Sequence, residues 1–502
     1  MNDDHLSAFG NWVEFAWQRY YGNQGAQDLP DIIAHADVHN NWLRYHNSLI
    51  SDMVTGDYRP GLVQVVDLPK DKLTVRPLAR LQLRDRLVYE ALTFSIAERI
   101  DREIPRSVYS YRWSTLKGDL KNPISSWMRM RRNARRLHKR FPKNLLAKTD
   151  VTSFYEHVEL DVLMDDLCSL EISEWIRHRL GSFLVTFQRM NHVWGIPQGS
   201  DASGVLANLY LLPVDRSLQR NGIRNLRYSD DIMMFGNDWE GLRRELLGVN
   251  RIMRGRRLSV AGAKTRIIPS HKVPAELDDG DKDAIRYGLE IGLPSAYGEL
   301  RELFDSATSQ DPPNIRDMRF ALNQFIRLDD DYALPWIAEN FPTYPHIAPD
   351  AIRYLERFHS ESRSDVGDLL GNLLNSRKFV NYPYAEHYIF CFLLRSEIYR
   401  RSAYEAAWRI LSNRNEEGFL RESAVRYVGR YARPGDTALL KQEFRREQSV
   451  SVRRVLLVAL HESNHIDNDW LDASAEALPE LTWTCEYLKT NPKVPYPAIK
   501  GR

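Results

Sequence analysis

The hydrophobic pattern of this 502-residue chain changes character once, near residue 300, and that change limits the folds open to it. Before it, short apolar runs of β character, Leu62–Val66, Leu145–Val151 and Arg224–Gly236, are separated by turn signals and by a helical stretch from Asp85 to Glu103. The strand pattern ends near Ile267–Pro269. Such a mixture predicts an α+β domain closing around residue 290. After it the strand signal vanishes, and Asp317–Ile326, Ala351–Phe358, Ala403–Leu411 and Arg421–Tyr431 place apolar residues at helical spacing. RESAVRYVGRY from Arg421 and SVRRVLLVALH from Ser451 each set an Arg ahead of an apolar stripe. Their starts lie 451 − 421 = 30 residues apart, an offset that suits a two-helix repeat. Residues 1–55 read as helical, so three regions are expected: 1–55, 56–290 and 295–490.

Charge is informative through its distribution. Lys and Arg number 69 against 67 Asp and Glu, but residues 101–150 hold 14 basic and 4 acidic residues. The run Arg129, Arg131, Arg132, Arg135, Arg136, Lys139, Arg140, Lys143 predicts a helix with charge spread around it, suited to a phosphate backbone. Arg251, Arg254, Arg256 and Arg257 form a smaller cluster. The 12 Trp, 24 Tyr and 18 Phe exclude a wholly disordered chain. Cys168, Cys391 and Cys485 are too scattered for a disulfide scaffold or a zinc site. His35 and His39 share a helix face without a third ligand and read as ordinary helix residues. The longest apolar run, Tyr388–Leu394, is far short of the ~18 residues of a membrane span. MNDDHLSAFG lacks the build of a signal peptide. A reduced, cytoplasmic protein without a membrane partner is expected.

Acidic pairs recur at Asp3–Asp4, Asp165–Asp166, Asp230–Asp231, Asp278–Asp279 and Asp329–Asp331, so a bare pair says little. Asp230–Asp231 differs because Ile232-Met233-Met234-Phe235 follows without a break, which predicts a strand entering a core. Two carboxylates at a tight turn between buried strands repel each other unless cations occupy the site. Asp150 ends a second apolar run, Leu145-Leu146-Ala147-Lys148-Thr149, with Phe154 and Tyr155 just beyond. Its other reading is a cap for the helix predicted after Glu156. Three hard oxygen ligands on neighbouring strand ends suit two Mg²⁺ ions about 3.5–4 Å apart, the arrangement for in-line phosphoryl displacement.

Between these carboxylates lies Gly195-Ile196-Pro197-Gln198-Gly199-Ser200, and after them Leu258 to Thr265 with Lys264. In this order, an aspartate strand, a PQG loop, a Tyr-x-Asp-Asp hairpin and a lysine segment, the chain resembles a reverse transcriptase. The separations are 198 − 150 = 48, 230 − 198 = 32 and 264 − 230 = 34 residues. Ser229 stands where Ala or Met is commoner. Gly56-Asp57-Tyr58-Arg59-Pro60, Leu68-Pro69-Lys70, Val75-Arg76-Pro77-Leu78 and Asp85-Arg86-Leu87-Val88 look like the fingers of bacterial members, and the resemblance covers roughly residues 50–270. It implies a right-hand-like fingers and palm, with Asp150, Asp230 and Asp231 as catalytic metal ligands. It further implies that Arg76, aided by Lys70 or Lys72, holds the incoming triphosphate, that Gln198, Gly199 and Lys264 line the substrate site, and that Tyr155 excludes the ribose 2′-hydroxyl. An alternating strand would send Asp150 and Tyr155 to opposite faces, so the chain must turn around Ser153–Phe154.

The helical C-terminal region, read as a HEAT-like repeat, looks like the architecture of bacterial abortive-infection and antiphage defence reverse transcriptases. That likeness implies an oligomeric DNA polymerase with dNTPs, an RNA template or associated noncoding RNA, and a DNA product as partners. In that group templating can be absent and a Tyr hydroxyl can prime; a retron-like or intron-derived enzyme is the alternative. A scaffold without activity has no reason to keep three uncompensated carboxylates, and Gln198-Gly199 with Tyr155 argue against a cyclase or an RNA polymerase.

Overall fold

The computed structural model describes residues 3–23, 27–71, 73–277, 280–358, 363–379 and 381–497. Lys72 and the Asp278–Asp279 pair lie outside them. The chain divides into two compact units, one of residues 1–18, 49–66 and 77–283, the other of residues 19–48, 67–76 and 284–502.

The first unit is built on a four-stranded antiparallel sheet. In chain order the strands of the molecule are β1 (Gln64–Pro69), β2 (Val75–Arg80), β3 (Trp113–Ser114), β4 (Asp119–Leu120), β5 (Leu145–Thr149), β6 (Arg224–Tyr228), β7 (Asp231–Gly236) and β8 (Arg266–Ile268). The sheet order is β6-β7-β5-β8, while β1-β2 and β3-β4 are separate two-stranded ribbons. The strand runs expected from the sequence are thus β5, β6, β7 and β8, with Leu62–Val66 overlapping only the start of β1, and the stretch from Asp85 to Glu103 belongs to the helix Leu83–Glu103.

Alternation sorts the sheet's two faces. On one, Leu146, Leu226, Met233, Phe235 and Ile268 pack with Met130 and Ala134 of the helix Pro123–Arg140 and with Val273 and Leu277. That helix is the basic run, and its charge is not spread all round. Met130, Ala134 and the half-buried Leu137 face the sheet, while Arg129, Arg132, Arg136, Lys139 and Arg140 are exposed. Arg131 departs from the expected surface role. It is buried, and its guanidinium donates to the Leu277 carbonyl at 2.7 Å, which ties the helix to the end of Val273–Leu277. Arg135 donates to the same carbonyl at 3.3 Å while remaining exposed.

Apart from its share of the β1-β2 ribbon, the second unit is helical among the described residues, with Ala36–Asn40 and the helices from Pro294–Thr308 through Thr482–Thr490. The apolar run at Tyr388–Leu394 forms the middle of Pro383–Arg395, buried on all sides. No helix among the described residues is long and apolar enough to cross a membrane. The two similar segments fall in Gly418–Arg430 and Val450–Glu462, which pack so closely that a Cβ on Gly429 would overlap Ala459. Arg454 lies between two buried carboxylates, 2.7 Å from Asp37 and 2.5 Å from Asp31, while Thr484 donates to Asp37 at 2.6 Å. His35 shares a 3.1 Å hydrogen bond with the Tyr20 hydroxyl, and His39 stacks on Tyr21 at 4.2 Å, so both serve packing.

Candidate active site

The register of β5 and β7 carries the site. Lys148 pairs with Met233 and Thr149 with Ile232, so one step further sets Asp150 beside Asp231, on the sheet face that Lys148 and Met233 share. β6 and β7 are joined by the two residues Ser229 and Asp230, closed by the pair Tyr228 and Asp231. Ser229 has φ +56°, in the region that favours Gly. A small serine is held there by its surroundings: its N–H donates to Ser110 Oγ at 2.7 Å and its carbonyl accepts from Arg227 at 2.8 Å.

Arg227 is the support that sequence reasoning missed. It is fully buried and meets the equally buried Asp215 through Nη2–Oδ2 at 2.6 Å and Nε–Oδ1 at 2.9 Å, with a further 3.0 Å bond to Asn208. Asp215 and Asn208 come from the helices Leu212–Arg220 and Asp201–Tyr210, so two helices beneath the sheet hold the carboxylate turn through one guanidinium. The available signal was a charged residue at an inward strand position, where an unpaired charge would be prohibitive.

The three carboxylates are in mutual conflict. Asp150 is buried, its carbonyl accepts from Ala261 N–H at 2.8 Å, and its carboxylate pairs with Lys264. It caps no helix: the short 3₁₀ turn Phe154–His157 starts from Ser153. Burial, then the charge of Asp150, raises Asp230 to about 7. Asp231 is raised by the same two causes in the same order, with Lys264 and Lys148 opposing them. Among the described residues no three His, Cys, Asp or Glu side chains close into a ready coordination shell. The donor set nevertheless fits a hard divalent cation, since clustered carboxylate oxygens, with Asp230 and Asp231 raised, are the ligands Mg²⁺ selects.

Tyr155 reaches the same region because the chain turns at Ser153, φ +44°, into the 3₁₀ turn. The PQG loop is laid against it. Ile196 N–H donates to the Tyr155 carbonyl at 3.0 Å, and Gly195, φ +73°, leaves no room there for a Cβ. Gln198 accepts through its backbone carbonyl from Ala79 N–H at 2.9 Å, and Gly199, φ +110°, abuts Leu78. Beyond the loop, Ser200 donates to Glu90 at 3.0 Å and Ser203 meets Tyr89 at 2.8 Å. The basic helix reaches the turn as well: Trp127 lies edge-on to Tyr228 with centroids 5.1 Å apart, and the Tyr228 hydroxyl donates to the Pro123 carbonyl at 3.0 Å. The structure thus brings together Asp150, Asp230, Asp231, Tyr155 and Lys264, with Gln198 and Gly199 in the adjoining loop. Lys70 and Arg76 are exposed on the β1-β2 ribbon and fall in the second unit.

An antiparallel sheet presenting carboxylates from two adjacent strands, with an aromatic and a glycine-containing loop beside them, is an arrangement that can hold divalent cations against a phosphate. Residues 68–287 match the reverse transcriptase (RNA-dependent DNA polymerase) family, so the chain carries a reverse transcriptase domain and is an RNA-directed DNA polymerase. No curated protein sequence matches it. Among solved structures it is similar to a telomerase from Candida albicans in complex with a TWJ fragment of telomeric RNA, at 12% identity over 69% of each chain and a TM-score of 0.27. It is also similar to apo telomerase from Candida tropicalis, at 13% identity over 74% of each chain and a TM-score of 0.28.

Proposed function

We propose that this protein extends a DNA strand from dNTPs on an RNA template, with Asp150, Asp230 and Asp231 holding two Mg²⁺ ions. The single observation that carries this reading is the β5–β7 register, which sets Asp150 beside Asp231 next to a turn that raises Asp230. Bound Mg²⁺ would supply charge neutralisation at the reacting phosphate and a lowered pKa for the attacking hydroxyl. The chain's own residues do the rest. Lys264, paired with Asp150, carries the cationic group nearest the carboxylates, and Tyr155 closes the sugar side. The exposed Arg132, Arg135, Arg136 and Lys139 give a template or product backbone its phosphate partners. Arg76 and Lys70 are assigned to the triphosphate.

The same reading divides the chain into an N-terminal helical region, 1–55, a fingers and palm domain, 56–290, and a HEAT-like helical domain, 295–490, that serves assembly and product handling. Helices of the second unit pack against the next but one along the chain, as Ala348–Phe358 does on Pro383–Arg395 and Gly418–Arg430 on Val450–Glu462, which supports a solenoid. On that architecture we place the enzyme in cytoplasmic antiphage defence, as a homo-oligomer. The test is incorporation of labelled dNTPs on a primed RNA template with and without Mg²⁺. Wild type is expected to be active only with the metal, and Asp230→Ala/Asp231→Ala to lose at least about 10²–10³-fold. Undiminished activity in that purified double variant would overturn the assignment.

A further inference from the structure

We infer that the exposed face of the helix Trp239–Gly255 is a second nucleic-acid site, which holds a double-stranded stem of the RNA outside the stretch being copied. The inference rests on the reading that the enzyme copies RNA, and it concerns a surface separate from the carboxylates.

The sequence marks the region first. No Asp or Glu occurs between Glu245 and Glu276, whereas seven Lys and Arg do. The helix turns its share of this excess outward. Leu242, Val249 and Met253 are buried on one side of it, while Arg244, Arg251 and Arg254 are exposed on the other. By helix geometry these three fall within about a quarter of the circumference and span about 15 Å. Leu247, 46% exposed, lies among them. Among the described residues no carboxylate pairs with any of the three. Their neighbours are already engaged: Arg256 turns inward to Asp166, and Arg243 lies over the Trp239 ring at 5.4 Å with Glu240 3.9 Å away. Like charges a turn apart work against a helix, and the helix dipole rewards a cation only in the last turn. That turn accounts for Arg254 but not for Arg244 or Arg251. A polyanion accounts for all three.

The sheet keeps this face apart from the catalytic one. Met233 and Phe235 point to the side that carries Asp150, Asp231 and the helix Pro123–Arg140. Gly236 follows and points the other way, and a Cβ there would overlap Leu242. The helix Trp239–Gly255 therefore covers the opposite side, along β5, β7 and β8. A template–product duplex on the carboxylates lies across the sheet from it, so the occupant of this face is a different segment of the RNA. The residue types select a stem. Single strands are held by aromatic rings that stack on bases, and no aromatic residue stands between Arg244 and Arg254. Guanidinium groups along a straight ridge suit instead the phosphates of base-paired RNA, which is recognised by its shape.

The experiment uses the full-length protein and a labelled blunt RNA stem of about 16 base pairs, which offers no recessed 3′ end to extend. Arg244→Gln/Arg251→Gln/Arg254→Gln should weaken stem binding at least about 10-fold, the value of one hydrogen bond to a charged group. The slope of log binding against log salt should fall by up to about 2–3, and by about 0.9 in Arg251→Gln alone. The corresponding triple Lys variant keeps the charge and should keep the slope. On a short primed RNA template without a stem, kcat/KM for dNTPs should match wild type in every variant. A wild type that does not bind the stem, or a triple Gln variant that binds it undiminished, overturns the inference. So does an equal loss on the short template, which would make the face part of the catalytic track. A DNA duplex of the same length, bound as tightly and lost as fully, would overturn the assignment to RNA. Stem binding by a wild type that extends no primed RNA template would count against the copying reading and not against this site.

Discussion

At the Ser229–Asp230 turn a carboxylate is held next to Asp150, and its proton affinity reports the cost of that placement. Asp230 is raised to about 7 from an ordinary value near 4, by burial first and the Asp150 charge second. For a carboxyl raised on folding, the folded chain keeps a proton that the unfolded chain has lost between those two values. Stability therefore falls as pH climbs from about 4 to about 7 and levels off above. In chelator-treated protein, Asp230→Asn should remove that slope, so that the variant overtakes wild type in thermal stability as pH approaches 7. Mg²⁺ should restore wild type and not the variant. Parallel melting curves across pH would count against the conflict. That Asp150, Asp230 and Asp231 come together was legible in the sequence, since a carboxylate abutting an apolar strand is costly unless it is gathered with partners. Arg131 was not, because a basic run does not state which of its members faces the sheet.

At the scale of elements, the β6-β7 hairpin is only as well placed as Arg227 makes it. Arg227→Ala leaves Asp215 charged and unpaired in the core, and should cost about 3–5 kcal/mol of unfolding free energy in denaturant titrations. Arg227→Met with Asp215→Leu leaves no buried charge and should recover most of that loss. Nucleotide incorporation should stay low in this double variant, because the hydrogen bond to the Ser229 carbonyl is still missing. Full recovery of both would make the pair a packing element only. The basic helix separates into two kinds of arginine in the same way. Replacing the exposed Arg132, Arg136 and Lys139 by Ala should reduce the slope of log binding against log salt by up to about 2–3, at about 0.9 for each duplex phosphate that is no longer neutralised. Arg131→Ala should leave the slope alone and lower the melting temperature. An unchanged slope in the triple variant would move nucleic-acid binding off this helix.

Across the whole molecule, segments far apart in sequence complete each other. Residues 19–48 belong to the same unit as the C-terminal helices, and Arg454 neutralises Asp31 and Asp37 across more than 400 residues of chain. Burial opposes ionisation of both carboxyls, but the Arg454 charge and hydrogen bonds outweigh it and hold both below the usual range. A carboxyl depressed on folding contributes stability above its unfolded value, and that contribution is lost as pH falls below about 4. Arg454→Ala should therefore destabilise the second unit by about 3–5 kcal/mol at neutral pH and flatten its acid sensitivity, read by thermal melts from pH 3 to 7. A variant as stable as wild type at pH 7 would show that Arg454 does not neutralise the two carboxylates. Truncation near residue 295 would leave Asp31 and Asp37 without that partner and expose Ile32 and Ile33, both fully buried, so the role of the helical region is better tested by point variants in the full chain. The sequence by itself determined the kinds of element, the order of the motifs and the three aspartates, because periodicity and the cost of placing charge beside apolar strands are local properties. Only the tertiary structure decided that Arg227, Arg131 and Arg454 are internal, and which residues at the N-terminus join the C-terminal helices. Those outcomes depend on which distant partner arrives to satisfy a buried group, and no local pattern names that partner.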